Sequence, residues 1–346
     1  MMIRKATHHH MYVAQQDDDR ISIFTLNPST GLLSWQEDIE ITGGPAPLAI
    51  DPRKQFLYVG RRVSQEIATY RINQDTGGLS FVGAVPLQGE PVYVATDRTG
   101  RFILSAYYYQ STAAVHAIDD RGVATFPPVE WRYTAHGAHA MLTDRSNRFA
   151  YVPHIANRGP NAIFQFRFDE QSGKLTPTVP AIHSPSEYLG PRALAFHPAL
   201  DIVYFSDEQG SSVTTYTIDS STGTLTPVQT IPTLPSDYRD PNTCSQIQIT
   251  ESGKFLFVPN RGHNSIASFT VNATTGRLTS ADRVGTEPVP RAFCIDPDGR
   301  YLFSAGQQSS RLASYRIDQN NATLTPLETY ELGRNPMWVL ITTLNR

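Results

Sequence analysis

Apolar residues fall in short runs along this chain, and the same succession of runs returns again and again. The segments Leu48-Ala49-Ile50-Asp51-Pro52, Tyr93-Val94-Ala95-Thr96-Asp97, Met141-Leu142-Thr143-Asp144, Leu194-Ala195-Phe196-His197-Pro198, Ile247-Gln248-Ile249-Thr250 and Phe293-Cys294-Ile295-Asp296-Pro297 align with one another. Each is followed by a turn and a second apolar run, such as Phe56-Leu57-Tyr58-Val59 or Ile202-Val203-Tyr204-Phe205. A third run alternates apolar and polar residues, as in Val213-Thr214-Thr215-Tyr216-Thr217-Ile218, and a Thr-Gly-x-Leu turn such as Thr222-Gly223-Thr224-Leu225 leads into a fourth. The repeat period is about 45–53 residues, the range of repeat architectures built from one supersecondary unit.

β-Branched and aromatic residues fill these runs, and Gly, Asp, Asn and Pro bound them, so each unit predicts four short strands. No stretch sustains a 3.6-residue apolar period, so helices should be nearly absent. Four-stranded units at this spacing predict an all-β propeller, whose closed ring leaves few exposed strand edges. The chain starts on a second-strand sequence, Met11-Tyr12-Val13-Ala14, and finishes on an orphan first strand, Pro336-Met337-Trp338-Val339-Leu340-Ile341. The C-terminal strand is therefore expected to complete the N-terminal blade, giving about seven blades and 28 antiparallel strands in one domain over 11–346. Residues 1–10 read as a leader, with His8-His9-His10 an incidental part of it. Two connections are longer than their equivalents, Ile182 to Gly190 and Pro232 to Thr243, and both should emerge at the same end of the ring.

Composition narrows the function classes. A net charge of −3 over 346 residues argues against nucleic acid or an acidic membrane as partner. No run approaches the length of a membrane-spanning helix, and the leader lacks the apolar core of a secretory signal, so a cytoplasmic location is the expectation. Cys244 and Cys294 lie in apolar runs without metal-ligand spacing and are expected to be buried thiols. A closed ring has no edge that must pair, which points to a monomer.

Repeat alignment turns positions into a map of the channel mouth. The residue at the mouth of each first strand, five before the Asp that ends the strand in most copies, is Ala46, Val92, His139, Arg192, Ser245, Arg291 or, in the closing strand, Pro336. The residue after each second strand is Gln16, Arg62, Tyr108, Ile155, Glu208, Arg261 or Gln307. The polar exceptions His139, Arg192, Glu208, Arg261 and Arg291 come from blades four to seven and suit a small anionic substrate. Guanidinium forks match carboxylate or phosphate geometry and stabilise a developing oxyanion. Glu208 or His139 can activate water. His139 is preferred over His136, which falls before the strand. His263 and Gln307 are expected to touch substrate at the same mouth, and His154 reads as a supporting residue. The chain has no GxSxG elbow, Walker loop or HExxH motif. The run Asp17-Asp18-Asp19 reads as a solvated turn, and neighbouring arginines would repel a cation, so neither metal nor cofactor is expected.

Several of these residues resemble a known family. Gly190-Pro191-Arg192, Phe196-His197-Pro198, Glu208 with Ser211-Ser212-Val213, Pro290-Arg291-Ala292-Phe293, Ala305-Gly306-Gln307 and Pro336-Met337-Trp338-Val339 look like the seven-bladed lactonase family. That family holds the bacterial propeller-type 6-phosphogluconolactonases and the fungal 3-carboxy-cis,cis-muconate cyclases. The last two motifs look closer to the bacterial lactonases. The resemblance implies a histidine, a glutamate and arginines at the channel mouth, which fall by motif on His139, Glu208, Arg192 and Arg261. It implies hydrolysis of 6-phosphogluconolactone in the pentose phosphate pathway, without a metal. A muconate-type lactonising cycloisomerase, or a non-catalytic protein-binding propeller, are the alternatives. Arg291 is an anion contact proposed from the map alone.

Overall fold

A computed structural model describes residues 7–185 and 187–345. The four runs of each unit form four antiparallel strands, and the described residues make seven such sheets. Blade 5 shows the pattern with Pro191–Phe196, Ile202–Asp207, Ser212–Ile218 and Leu225–Pro232. Blade 1 is shared by the two ends of the chain, because Pro336–Asn345 pairs with Thr7–Gln15 in the register Met11↔Ile341 and Val13↔Val339. The one helical element among the described residues is a 3₁₀ turn, Gln16–Asp18.

Two details differ from the sequence expectation. The N-terminal strand starts at Thr7, so residues 7–10 of the expected leader belong to the sheet, while 1–6 lie outside the described residues. His9 and His10 are buried opposite Thr343 and Thr342, and His9 Nδ1 is 3.0 Å from Thr343 Oγ1. The closing strand is ten residues long and extends the pairing past the expected boundary. The described strands number 29 rather than 28, because the first strand of blade 6 is split into Thr243–Cys244 and Gln248–Ile249.

Recurrent side chains explain why the units fold and stack alike. The Asp that ends a first strand folds back on the turn after it. Asp51 accepts from the amides of Arg53, Gln55 and Phe56, and Asp144 from those of Ser146, Arg148 and Phe149. Such turns satisfy amides that would otherwise lose partners on burial. In blade 5 His197 Nδ1 takes this role, accepting from Ala199 and Leu200. A second-strand tyrosine then ties each of several blades to the next. Tyr12, Tyr151 and Tyr204 donate to the carbonyls of Gly77, Gly223 and Gly276 at 2.8 Å. Those glycines are in the left-handed region, φ 73°, 79° and 65°, and a Cβ on Gly223 would overlap the Phe149 ring. Cys244 and Cys294 are free, buried thiols.

Candidate active site

The channel mouth is shaped by a repeated irregularity. In blade 5 Pro191 pairs with Asp207 and Ala193 with Ser206, which leaves Arg192 as the extra residue of a β-bulge. The same device leaves Arg291 extra between Pro290 and Ala292 in blade 7, and Met337 between Pro336 and Trp338 in blade 1. Blade 2 bulges after Pro45. A bulge bends the strand and re-aims a side chain, here toward the channel axis. Proline suits the position before it, because the ladder is about to be interrupted and no amide is needed.

The bulged residues line a cavity enclosing about 410 Å³ of space, part of it open to solvent. Arg62, His139, Arg192, Gln246 and Arg291 supply its polar wall, and Ala46, Pro47, Val92, Tyr93, Met337 and Trp338 its apolar one. The repeat map therefore places Arg192, Arg291 and His139 correctly, and is one residue early in two blades. Gln246 and Met337 face the cavity, whereas Ser245 is fully buried and donates to Pro290 O at 2.8 Å.

Glu208 follows the second strand of blade 5 and is held between two guanidiniums. Its Oε2 lies 2.7 Å from Arg192 Nε and 3.0 Å from Arg261 Nη2. Oε1 accepts from Gln209 Nε2 at 3.2 Å, and Arg261 Nη2 also donates to Cys244 O at 2.8 Å. The two long connections flank this turn, since Glu208 N donates to Gly190 O and Cys244 N to Glu208 O. Both thus emerge at the same end of the ring. Arg192 is 4% exposed. Burial, then the charge of Arg261, presses its pKa well below the usual guanidinium range, and Glu208 opposes that pressure. We take Arg192 as ionised, because a guanidinium starts so far above neutrality and its carboxylate partner is in contact.

His139 lies in the irregular approach to the short first strand of blade 4, its amide bonded to Pro153 O and its ring edge-on to Tyr108 at 6.0 Å. Burial, reinforced by Arg192, Arg291 and Arg261, drives its pKa well below the ordinary histidine value, so the imidazole is neutral. Arg291 forms no hydrogen bond or ion pair with any described residue. Burial, with Arg261 and Arg62 nearby, lowers its pKa to about 10, which leaves it charged at neutral pH.

The remaining expected residues lie elsewhere. His263 meets Tyr238 of the long loop edge-on at 4.8 Å and bonds Ser265 Oγ at 2.7 Å. Gln307 donates to Asn335 Oδ1 at 2.8 Å. Neither lines the cavity, because its polar atoms are engaged by neighbouring loops. His154 is buried against Phe164, bonded to Thr134 Oγ1, and its pKa is pushed down to about 3, as befits a structural histidine. His136 packs on Tyr108 and Tyr109. Asp17, Asp18 and Asp19 each have a protein partner, in Asn335, Arg334 and Gly44.

Three groups, Arg62, Glu90 and Asp207, lie outside the set of candidate residues that the sequence singles out. Arg62 reaches the cavity from blade 2 and pairs with Glu90, from the loop before blade 3. Asp207, next to Glu208, is fully buried with Ser212 Oγ and Thr214 Oγ1 donating to its Oδ2 at 2.7 Å each. Burial pushes its pKa up to about 7, so it keeps its proton up to about neutral pH.

Comparison with known proteins agrees with this architecture. Residues 36–341 match the family described as lactonase, 7-bladed beta-propeller. The 6-phosphogluconolactonase of Yersinia enterocolitica is 33% identical over 331 residues, covering 96% of this chain and 97% of the relative. That of Yersinia pestis is 34% identical over the same length, with the same coverage of both chains. The periplasmic gluconolactonase of Pseudomonas aeruginosa superposes with a TM-score of 0.89 at 21% identity, covering 98% of this chain and 100% of that one. A protein from Lactobacillus plantarum superposes at 0.86 with 23% identity, over 97% of this chain and all of the other. The last two likenesses are of fold.

Proposed function

The chain belongs to the seven-bladed β-propeller lactonase family, and on that premise we propose that it hydrolyses 6-phosphogluconolactone to 6-phosphogluconate, a step of the pentose phosphate pathway. One observation carries the choice of substrate. Arg62, Arg192, Arg261 and Arg291 face only Glu90 and Glu208, and His139 is neutral, so two positive charges go uncompensated around the cavity. A phosphate monoester carries about −1.5 to −2 at neutral pH and matches that excess, whereas an unphosphorylated lactone leaves it unmet. The apolar wall formed by Trp338, Tyr93 and Val92 offers a face for the sugar ring.

Water attacks the lactone carbonyl as His139 accepts its proton, and the C–O bond that forms drives the carbonyl electrons onto oxygen. Arg192 lines the cavity with its Nε edge in ion-pair contact with Glu208, and its terminal N–H groups, which have no hydrogen-bond partner among the described residues, can hold that oxyanion. Collapse breaks the ring C–O bond, and the imidazolium returns the proton to the departing oxygen, leaving a hydroxy acid that ionises. Glu208 is the clamp rather than the base, since both its oxygens are engaged and it lies behind Arg192. Arg261 acts through Glu208 and through its field. A cavity with excess positive charge repels a divalent cation, so the reaction is metal-independent.

The test is hydrolysis of 6-phosphogluconolactone followed by acid release, with and without a chelator. The wild type should be active in both, and His139→Ala should lose about 10²–10⁴-fold in kcat/KM. Wild-type activity on carboxymuconate alone would reject the substrate, and an unimpaired His139→Ala would reject the base.

A further inference from the structure

The cavity's arginines come from four different blades. Arg192, Glu208 and Arg261 come from blades 5 and 6, and His139 from blade 4. Arg62 follows the second strand of blade 2, and Arg291 sits in the first strand of blade 7. In a closed ring of seven, blades 2 and 7 flank blade 1, and blade 2 stands across the channel from blades 5 and 6. The clamp thus occupies one side of the mouth and Arg62 the other, with the apolar Met337 and Trp338 of blade 1 between Arg62 and Arg291.

We propose that Arg62 and Arg291 form the subsite for the phosphate monoester of the substrate, with Glu90 holding Arg62 in position. The inference rests on the lactonase reading for the identity of the ligand. Arg291 brings an unpaired guanidinium to the wall. Arg62 gives one terminal nitrogen to Glu90 and another to Gln16 Oε1 at 3.4 Å, and its Nε is buried without a partner. Such a group has donors to spare, and guanidinium forks bind phosphate bidentately. The arrangement also orients the substrate. Phosphate at blades 2 and 7 directs the opposite end of the molecule across the channel toward Arg192 and His139, where the carbonyl must lie.

Calorimetric titration of 6-phosphogluconate and gluconate into the wild type, Arg62→Gln and Arg291→Gln tests this. The wild type should prefer the phosphorylated ligand, and each variant should lower that ratio by about 10- to 100-fold, the loss of a charge-assisted contact. The two variants sit in different blades, so a folding failure in one leaves the other to decide. Equal affinity of the wild type for both ligands, or an undiminished ratio in the variants, would overturn the subsite. Hydrolysis assays report separately: a wild type inactive on both lactones that still shows an Arg62-dependent preference supports the subsite and rejects the proposed reaction.

Discussion

Replacing Glu208 by Gln keeps the shape and an acceptor oxygen but removes the charge between two guanidiniums. The affected contacts are Arg192 Nε to Oε2 at 2.7 Å and Arg261 Nη2 to Oε2 at 3.0 Å, with side chains 4% and 14% exposed. At an effective dielectric near 20, a unit charge pair about 4 Å apart is worth about 4 kcal/mol, and desolvation of the ions offsets part of it. The retained amide oxygen recovers a neutral hydrogen bond, but Arg192 and Arg261 then repel one another across it. A net loss of about 3 kcal/mol follows, near the lower end of what breaking a buried pair costs. At about 2.1 cal/mol/K per residue, the unfolding entropy of a chain this long makes that about 4 °C in Tm. Arg192 also loses its aim, which should cost about 100-fold in kcat/KM. Differential scanning calorimetry and the lactone assay across pH read both effects. If Glu208 is a clamp, the acid limb of the pH–rate profile survives in Glu208→Gln and disappears in His139→Ala. A variant with wild-type Tm and no acid limb would make Glu208 the base and refute the reasoning.

Two further outcomes test the frame around the site. Asp207 keeps its proton up to about pH 7 in the fold, whereas an unfolded Asp ionises near 4. Between these values the native state binds more protons, so this group's contribution to stability falls as pH rises from about 4 to 7 and stays low above. Asp207→Asn removes that dependence, so its stability relative to wild type should rise by about 2 kcal/mol between pH 5 and pH 7 in urea titrations; a difference that does not change with pH would refute the buried neutral carboxyl. Tyr151→Phe deletes the 2.8 Å bond to Gly223 O that ties blade 4 to blade 5. It should cost about 1–2 kcal/mol, roughly 2 °C in Tm, with kcat/KM unchanged; lost activity at unchanged Tm would show that the tie serves the site rather than the ring.

The strands were legible because their cause is local. Alternation, turn residues and the Asp that folds onto the next turn recur at one period, so each copy corroborates the others. Closure of the ring could be read from the unmatched runs at Met11 and Pro336. The mouth was only partly legible, because a β-bulge adds one residue without disturbing the apolar alternation on either side. Counting back from Asp296 lands on Arg291, but counting in blades 6 and 1 lands on Ser245 and Pro336, beside the residues that face the cavity. A usable signal exists in the prolines. Pro45, Pro191, Pro290 and Pro336 all stand immediately before the extra residues, where a missing amide costs the ladder nothing. Arg62 belongs to the aligned set, but its blade lies across the ring from the other charges, so blade order separates it from them. In a closed ring that is no objection: positions distant in blade order meet over the channel, and a ligand with charge at one end and a carbonyl at the other requires opposed walls. Glu90 had no repeat position to mark it. Asp207 carries no sequence signal, because the sequence cannot show that Ser212 and Thr214, on the neighbouring strand, enclose it. The scaffold follows from what each blade shares, and the chemistry from the few bulged or strand-end positions where a blade departs from its neighbours and faces another across the ring.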